Sequence, residues 1–134
     1  MLEAFPKANV RVAIVWIDML GGDNAQAARA SSDIFEDPRV TQFHDPRATH
    51  FAGNAFGRRL LKPGAGAAWD VYLFFNGDAE WTDEPPDPAD WMHQLGGTKR
   101  ADPQRFHAAD DLVRTLRRVG GRLFGDPKQE SDSK

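Results

Sequence analysis

The chain has 134 residues, with 17 Lys and Arg against 20 Asp and Glu, for a net charge of −3. This length suits one domain with a real core, and the near-neutral balance gives no general reason to expect nucleic-acid binding. Cysteine is absent, which removes disulfides, thiolate nucleophiles, Cys-x-x-Cys redox chemistry, Cys-ligated zinc and iron–sulfur clusters.

The first apolar segment is Val10 to Asp18, VRVAIVWID. Its near-continuous β-branched run predicts a strand covered on both faces, as in a parallel sheet. The run is too short for a signal-peptide core or for the roughly 20 residues of a membrane span, so a cytoplasmic location without a membrane partner is the default expectation. Gly21-Gly22 breaks the strand, and Asp23 or Asn24 is placed to cap a helix. Ala27, Ala28, Ser31, Ile34 and Phe35 share one face of that helix, which Pro38 ends. A short strand follows over Val40 to His44.

Asp45-Pro46 has the form of an N-cap and a first-turn proline. The helix it predicts carries Ala48, Phe51, Ala52, Ala55, Phe56 and Leu60 on its apolar stripe, with Gly53 and Gly57 weakening it. Trp69 to Phe75 predicts another apolar strand, and Asn76-Gly77-Asp78 a turn into a short antiparallel return over Ala79 to Thr82. Three prolines and four acids from Asp83 to Asp90 argue against a regular element there. Trp91 to Leu95 is expected to fold back onto the core. Asp102-Pro103 repeats the cap-and-proline start, and Phe106 to Val119 is helical in period, stopping at Gly120-Gly121. The domain is thus expected over residues 1–125, with a polar, disordered tail over 126–134.

Strand, helix, strand, helix, strand, short strand, helix is the order of a mixed-sheet α/β domain. VRVAIVWID, VTQFHDPRATHFAGNAF, AWDVYLFFNGDAEW and DPQRFHAADDLVRTLRRV together resemble the later two-thirds of the thioredoxin-like superfamily, in its peroxiredoxin and thiol–disulfide oxidoreductase branch. The similarity runs from about residue 8 to residue 119. It implies a three-layer α/β/α fold with a mixed sheet. Two departures stand out. Nothing before Val10 supplies the family's first strand and Cys-bearing helix. The stretch Gly66-Ala67-Ala68-Trp69-Asp70 also lacks the family's cis-proline, so trans peptides are expected there.

In the complete fold the missing strand is central, between the counterparts of Val10–Asp18 and Trp69–Phe75. Its loss leaves three outcomes: direct pairing of those strands, a slot, or a strand recruited from another chain. The resemblance therefore implies a truncated or degenerate member, with a start codon inside a longer reading frame as one origin. A self-contained smaller sheet is the other possibility.

Candidate sites are few. Asp18 and His44-Asp45 are expected at the C-terminal ends of neighbouring parallel strands, where α/β sheets favour ligands, though Asp45 as a helix cap accounts for that segment locally. His44, His50 and His93 match no metal motif and are expected to be solvated or hydrogen-bonded. Gly21-Gly22-Asp23-Asn24 has neither phosphate-loop signature and reads as a turn. The seven acids from Asp70 to Asp90 lack EF-hand order, and residues 99–122 carry seven bases, so the two stretches have complementary sign. Trp16, Trp81 and Trp91 read as core. Trp69 and Asp70 occupy the place where the resembled family contacts bound peptide backbone or thiol substrate, and with Asp18 they form the candidate binding set.

The expectation is a thioredoxin-like domain without thiol redox activity, serving as a protein- or peptide-binding module, with no metal or other cofactor. Homo-oligomerisation through exposed strand edges is the accompanying partner expectation. The alternative is a thiol–disulfide oxidoreductase or peroxiredoxin-like enzyme whose catalytic Cys segment is absent from this chain. A metal-dependent enzyme is a third reading.

Overall fold

The apolar run near the N-terminus forms strand β1 (Val12–Ile17), and after one helix a parallel partner, β2 (Val40–Asp45), lies beside it with Val12 opposite Val40 and Ile17 opposite Asp45. This is a computed structural model that describes residues 1–96 and 99–125. The expected disordered tail, 126–134, lies outside the described residues. Val12 N–H donates to Arg39 O (2.9 Å) and Asp18 N–H to Asp45 O (3.2 Å). These two bonds fix the alternation of the ladder: Val12, Ile14, Trp16 and Asp18 direct their backbone groups at β2, and Ala13, Val15 and Ile17 direct theirs away from it.

Helix α1 (Ala25–Ser32) starts where Asn24 Oδ1 accepts from Gln26 N–H and Ala27 N–H, so Asn24 is the cap. Asp23 instead closes the preceding turn by accepting from Met19 N–H and Leu20 N–H. The helix ends at Ser32, earlier than its apolar period suggested, and leaves Ile34 and Phe35 exposed. It covers one face of the first sheet, where Gln42 Nε2 donates to Ser32 O and Trp16 lies beside Phe35.

Helix α2 (Phe51–Leu60) begins five residues later than the Asp45-Pro46 signal predicted. Thr49 N–H and His50 N–H both bond Pro46 O, making a separate turn, and His50 takes a left-handed φ of 39°. Asp45 still caps the helix across that turn: its carboxylate accepts from Phe51 N–H (2.6 Å) and Gly53 N–H (3.0 Å). The glycines expected to weaken α2 have a packing role instead. Ala68 N–H donates to Gly53 O (2.7 Å), and a Cβ on Gly57 would run into the Gly66 carbonyl oxygen.

The second sheet pairs β3 (Val71–Phe74) with β4 (Asp90–His93), antiparallel, with Val71 opposite His93. The return strand is thus Asp90–His93 rather than Ala79–Thr82. The Phe75 and Trp81 rings meet at a tilt with centroids 4.8 Å apart, and Ala79 N–H bonds Asn76 O, which closes residues 76–81 into a turn of their own. Asp70 O accepts from Gln94 N–H and Phe74 O from Ala89 N–H. Asp70, Tyr72 and Phe74 therefore face β4, and Val71 and Leu73 direct their backbone groups outward. Asp102 caps only a 3-10 turn (Pro103–Arg105), and α3 runs from Ala109 to Phe124, through Gly120-Gly121 rather than stopping there. Gly120 is buried against the Phe5 ring, so it gives room for close packing instead of ending the helix. Arg122 of α3 and Arg105 both pair with Asp90, joining the basic and acidic stretches as their signs suggested.

Two apolar clusters hold the chain together. Leu61, Ala68, Leu95 and Ala101 form one, with Phe56, Leu60, Val71 and Trp91 against it; Phe74, Met92, Leu112 and Val119 form the other, joined by Met1 and Tyr72. Helix α2 spans the two sheets, since its Gly53 meets Ile17 of β1 while Phe56 and Leu60 pack with Val71 and Trp91. Arg39 ties the N-terminal turn to β2, bonding the carbonyls of Phe5 and Leu2 while pairing with Asp37. Among the described residues the result is a mixed α/β fold with three α-helices and two two-stranded sheets. The two sheets do not join.

Candidate functional site

Asp18 and His44 come together at the C-terminal ends of β1 and β2. Both side chains follow from the strand period, which sets Trp16 opposite His44 and leaves Asp18 one step beyond. Asp18 is only 8% exposed. Its carboxylate accepts from His44 Nε2 (2.9 Å) and from Arg47 N–H (3.3 Å). The His44 bond, with help from the Arg47 N–H and against the effect of burial, holds the Asp18 carboxyl below its ordinary range. The Asp18 carbonyl accepts from His50 Nε2 (2.9 Å), which explains the left-handed turn: it swings the imidazole back onto β1. Arg47 reaches across to Leu20 O.

With Nε2 bonded to the Asp18 carboxylate, His44 has the Asp–His geometry that general bases use. Among the described residues no hydroxyl is hydrogen-bonded to His44, and Thr49 Oγ1 and Ser32 Oγ donate to backbone carbonyls. Two clefts in the surface, about 270 Å³ beside Trp91, Arg105 and Arg118 and about 170 Å³ beside Asn9 and Arg39, lie elsewhere. Neither cleft is lined by Asp18 or His44, and the pair closes the strand ends.

The candidate residues Trp69 and Asp70 stand at the start of β3, far in sequence from Asp18. Trp69 is half-buried against Leu61, Ala68, Leu95 and Ala101. Its indole Nε1 is buried and has no hydrogen-bond partner among the described residues, which costs about 1–3 kcal/mol for such a donor. Asp70 is exposed and holds a left-handed φ of 50°, a conformation that stores strain in a residue with a Cβ. All peptides in the described residues are trans, including this stretch. Tyr72, two residues on, donates to Gln94 Oε1, and burial together with the Asp70 carboxylate pushes its phenol upward.

His93 belongs to neither group. It is 1% exposed, donating from Nε2 to Asp102 O (2.8 Å) and accepting at Nδ1 from Leu95 N–H (3.2 Å), with Trp91 and Phe106 on its ring. Both nitrogens are used, so it is a core histidine in a fixed tautomer. Among the described residues no group of three His, Cys, Asp or Glu is placed to hold a metal ion. Trp81, read from sequence as core, is 59% exposed, with its ring against Phe56 and Phe75.

Open strand edges, the feature anticipated from the missing central strand, most set this surface apart. Ala13, Val15 and Ile17 on β1, and Val71 and Leu73 on β3, carry outward backbone N–H and C=O groups that meet no partner among the described residues. β1 is apolar throughout yet holds no fully buried residue. No protein-family model, curated protein or solved structure matches the chain. No helix among the described residues is long and apolar enough to cross a membrane.

Proposed function

We propose that this chain is a binding module that accepts an extended strand, on a thioredoxin-like arrangement of elements and without thiol redox chemistry. The observation that carries the reading is the pair of unpaired strand edges, β1 at Ala13, Val15 and Ile17 and β3 at Val71 and Leu73. Backbone groups left open along apolar strands recruit another strand, because main-chain hydrogen bonds supply affinity and side-chain pockets supply choice. α2 lies against both sheets, so it supports the two edges from one side. At the start of β3, Asp70 adds an exposed, strained backbone next to the edge, while Trp69 anchors that start on the core. Asp18, tied to His44, holds the far end of β1 in place.

The alternative draws on the same edges. A thiol–disulfide oxidoreductase or peroxiredoxin-like enzyme whose Cys segment is supplied from outside these residues would fill them with its own strand. A defined probe tests the common element. The capped peptide VRVAIVWID, residues 10–18 of this chain, is added at saturating concentration while amide exchange is followed by NMR. Slower exchange at Val71 and Leu73, lost when alternate peptide nitrogens of the probe are methylated, is the expected result. Val71 and Leu73 amides that exchange slowly before any peptide is added would end the proposal, since that edge would already be paired.

A further inference from the structure

We infer that a second copy of this chain occupies the β1 edge, with β1 paired to β1 in the antiparallel sense about Val15. The inference rests on the strand-accepting reading of β1 and names the partner. Two identical strands related by a two-fold axis must present outward-facing residues that map onto themselves. Ala13, Val15 and Ile17 do so: with Val15 on the axis, Ala13 of each copy falls opposite Ile17 of the other. All three then sit in hydrogen-bonded pairs, giving about six interchain backbone bonds.

Composition favours this edge over the others. Val12–Ile17 contains no charged residue, so the axis brings no like charges together. It also has none of the devices that guard free edges: no lysine, no proline and no bulge. The outward residues of β2 include Gln42 and His44, and its neighbour Arg39 is committed to Asp37 and the N-terminal turn. β3 offers only two outward residues, Val71 and Leu73, next to the strained Asp70. Pairing β1 to β1 would join two two-stranded sheets into one of four strands, above the size at which an isolated ladder is marginal. It would also bring further cover to a strand whose apolar side chains are only partly buried.

The absence of cysteine makes the test clean. In Val15→Cys the single thiol stands on the two-fold axis, with a Cα separation of about 5.5 Å expected for a hydrogen-bonded pair, inside disulfide range. Mild oxidation should convert most of this variant to a covalent dimer, while Thr41→Cys on β2 should form little. Sedimentation velocity should give a dimer for the unmodified chain from low to high micromolar concentration. Val15→Lys should sediment as a monomer with an unchanged circular dichroism spectrum. Should Val15→Lys not fold, the cross-linking contrast decides. Equal cross-linking of the two cysteine variants, or a dimer that survives Val15→Lys, would overturn β1 as the interface. A chain that stays monomeric would overturn the second copy as occupant. In that case fast exchange at the Val15 amide would leave the strand-accepting reading standing, and slow exchange would overturn it too.

Discussion

One substitution, glycine to alanine, should have opposite signs at two helical positions. In a helix interior the change gains up to about 1 kcal/mol, because glycine loses more backbone freedom on folding. At Gly121 in α3 the nearest atom facing a new Cβ is Phe5 Cζ at 4.0 Å, an ordinary contact. Gly121→Ala should therefore stabilise the chain by about 0.5–1 kcal/mol, or roughly 2–4 °C in Tm. At Gly57 in α2 the Cβ would collide with the Gly66 carbonyl and stand 3.1 Å from Ala68 N and 3.3 Å from Ala67 Cα. All three are backbone, so no rotamer change relieves them. The helix must back away from residues 66–68, stretching the 2.7 Å bond from Ala68 N–H to Gly53 O. Overpacking of this kind costs about 1–3 kcal/mol, which exceeds the helix gain. Gly57→Ala should lower Tm by about 3–8 °C, measured by far-ultraviolet circular dichroism beside the unmodified chain and Gly121→Ala. A Gly57→Ala protein as stable as the parent would refute the close contact between α2 and residues 66–68.

His93→Leu should cost about 2–4 kcal/mol in urea unfolding, because Asp102 C=O and Leu95 N–H both lose their partners inside the core; a loss under 1 kcal/mol would contradict its placement. Acid should destabilise in a defined window. The carboxyls of Asp18, Asp37, Asp90 and Asp111 lie below their ordinary value of 3.8, and Asp37 is lowered to about 2. At Asp90 the effect of burial is outweighed by Arg122, the Trp91 N–H and Arg105. A depressed carboxyl contributes stability that is complete above its unfolded value and is lost as pH falls through its folded value. The urea midpoint should hold from pH 7 to about 5 and fall between about 4 and 2, with Asp37→Asn blunting the lower part of the fall. A midpoint unchanged down to pH 2 would contradict these pairings. Trp69→Phe should change stability by less than about 1 kcal/mol, since the contacts it loses are offset by removing an unpartnered buried donor; a loss above 3 kcal/mol would mean that the indole N–H is bonded.

Local chemistry made some of this legible. β1 was evident from its β-branched run and Asp45 from its capping chemistry, while the cap of α1 was narrowed to Asp23 or Asn24. The helix that Asp45 caps nevertheless begins at Phe51, because the Pro46–His50 turn and the reach of His50 to Asp18 are tertiary choices. Gly53, Gly57 and Gly120 read as helix breakers in one dimension. Only the loop 66–68 and the Phe5 ring, distant in sequence, give them their packing role. The return strand was misplaced because Asn76-Gly77-Asp78 is good hairpin chemistry, while the pairing that forms depends on Trp91 and Met92 filling two separate clusters. At the candidate site, strand period was enough to place Asp18 beside His44. The orphan nitrogen of Trp69 and the left-handed Asp70 depend on how the loop docks, and nothing in their neighbours signals it.

The central claim concerns edges, and residue-resolved amide exchange tests it most directly at a concentration where the chain sediments as a monomer. Ala13, Val15, Ile17, Val71 and Leu73 should exchange at least about tenfold faster than Ile14, Trp16 and Tyr72, whose N–H groups are bonded across the ladders. Equal, slow exchange at alternating positions would mean that β1 and β3 already lie inside a continuous sheet, with no edge left for a partner strand.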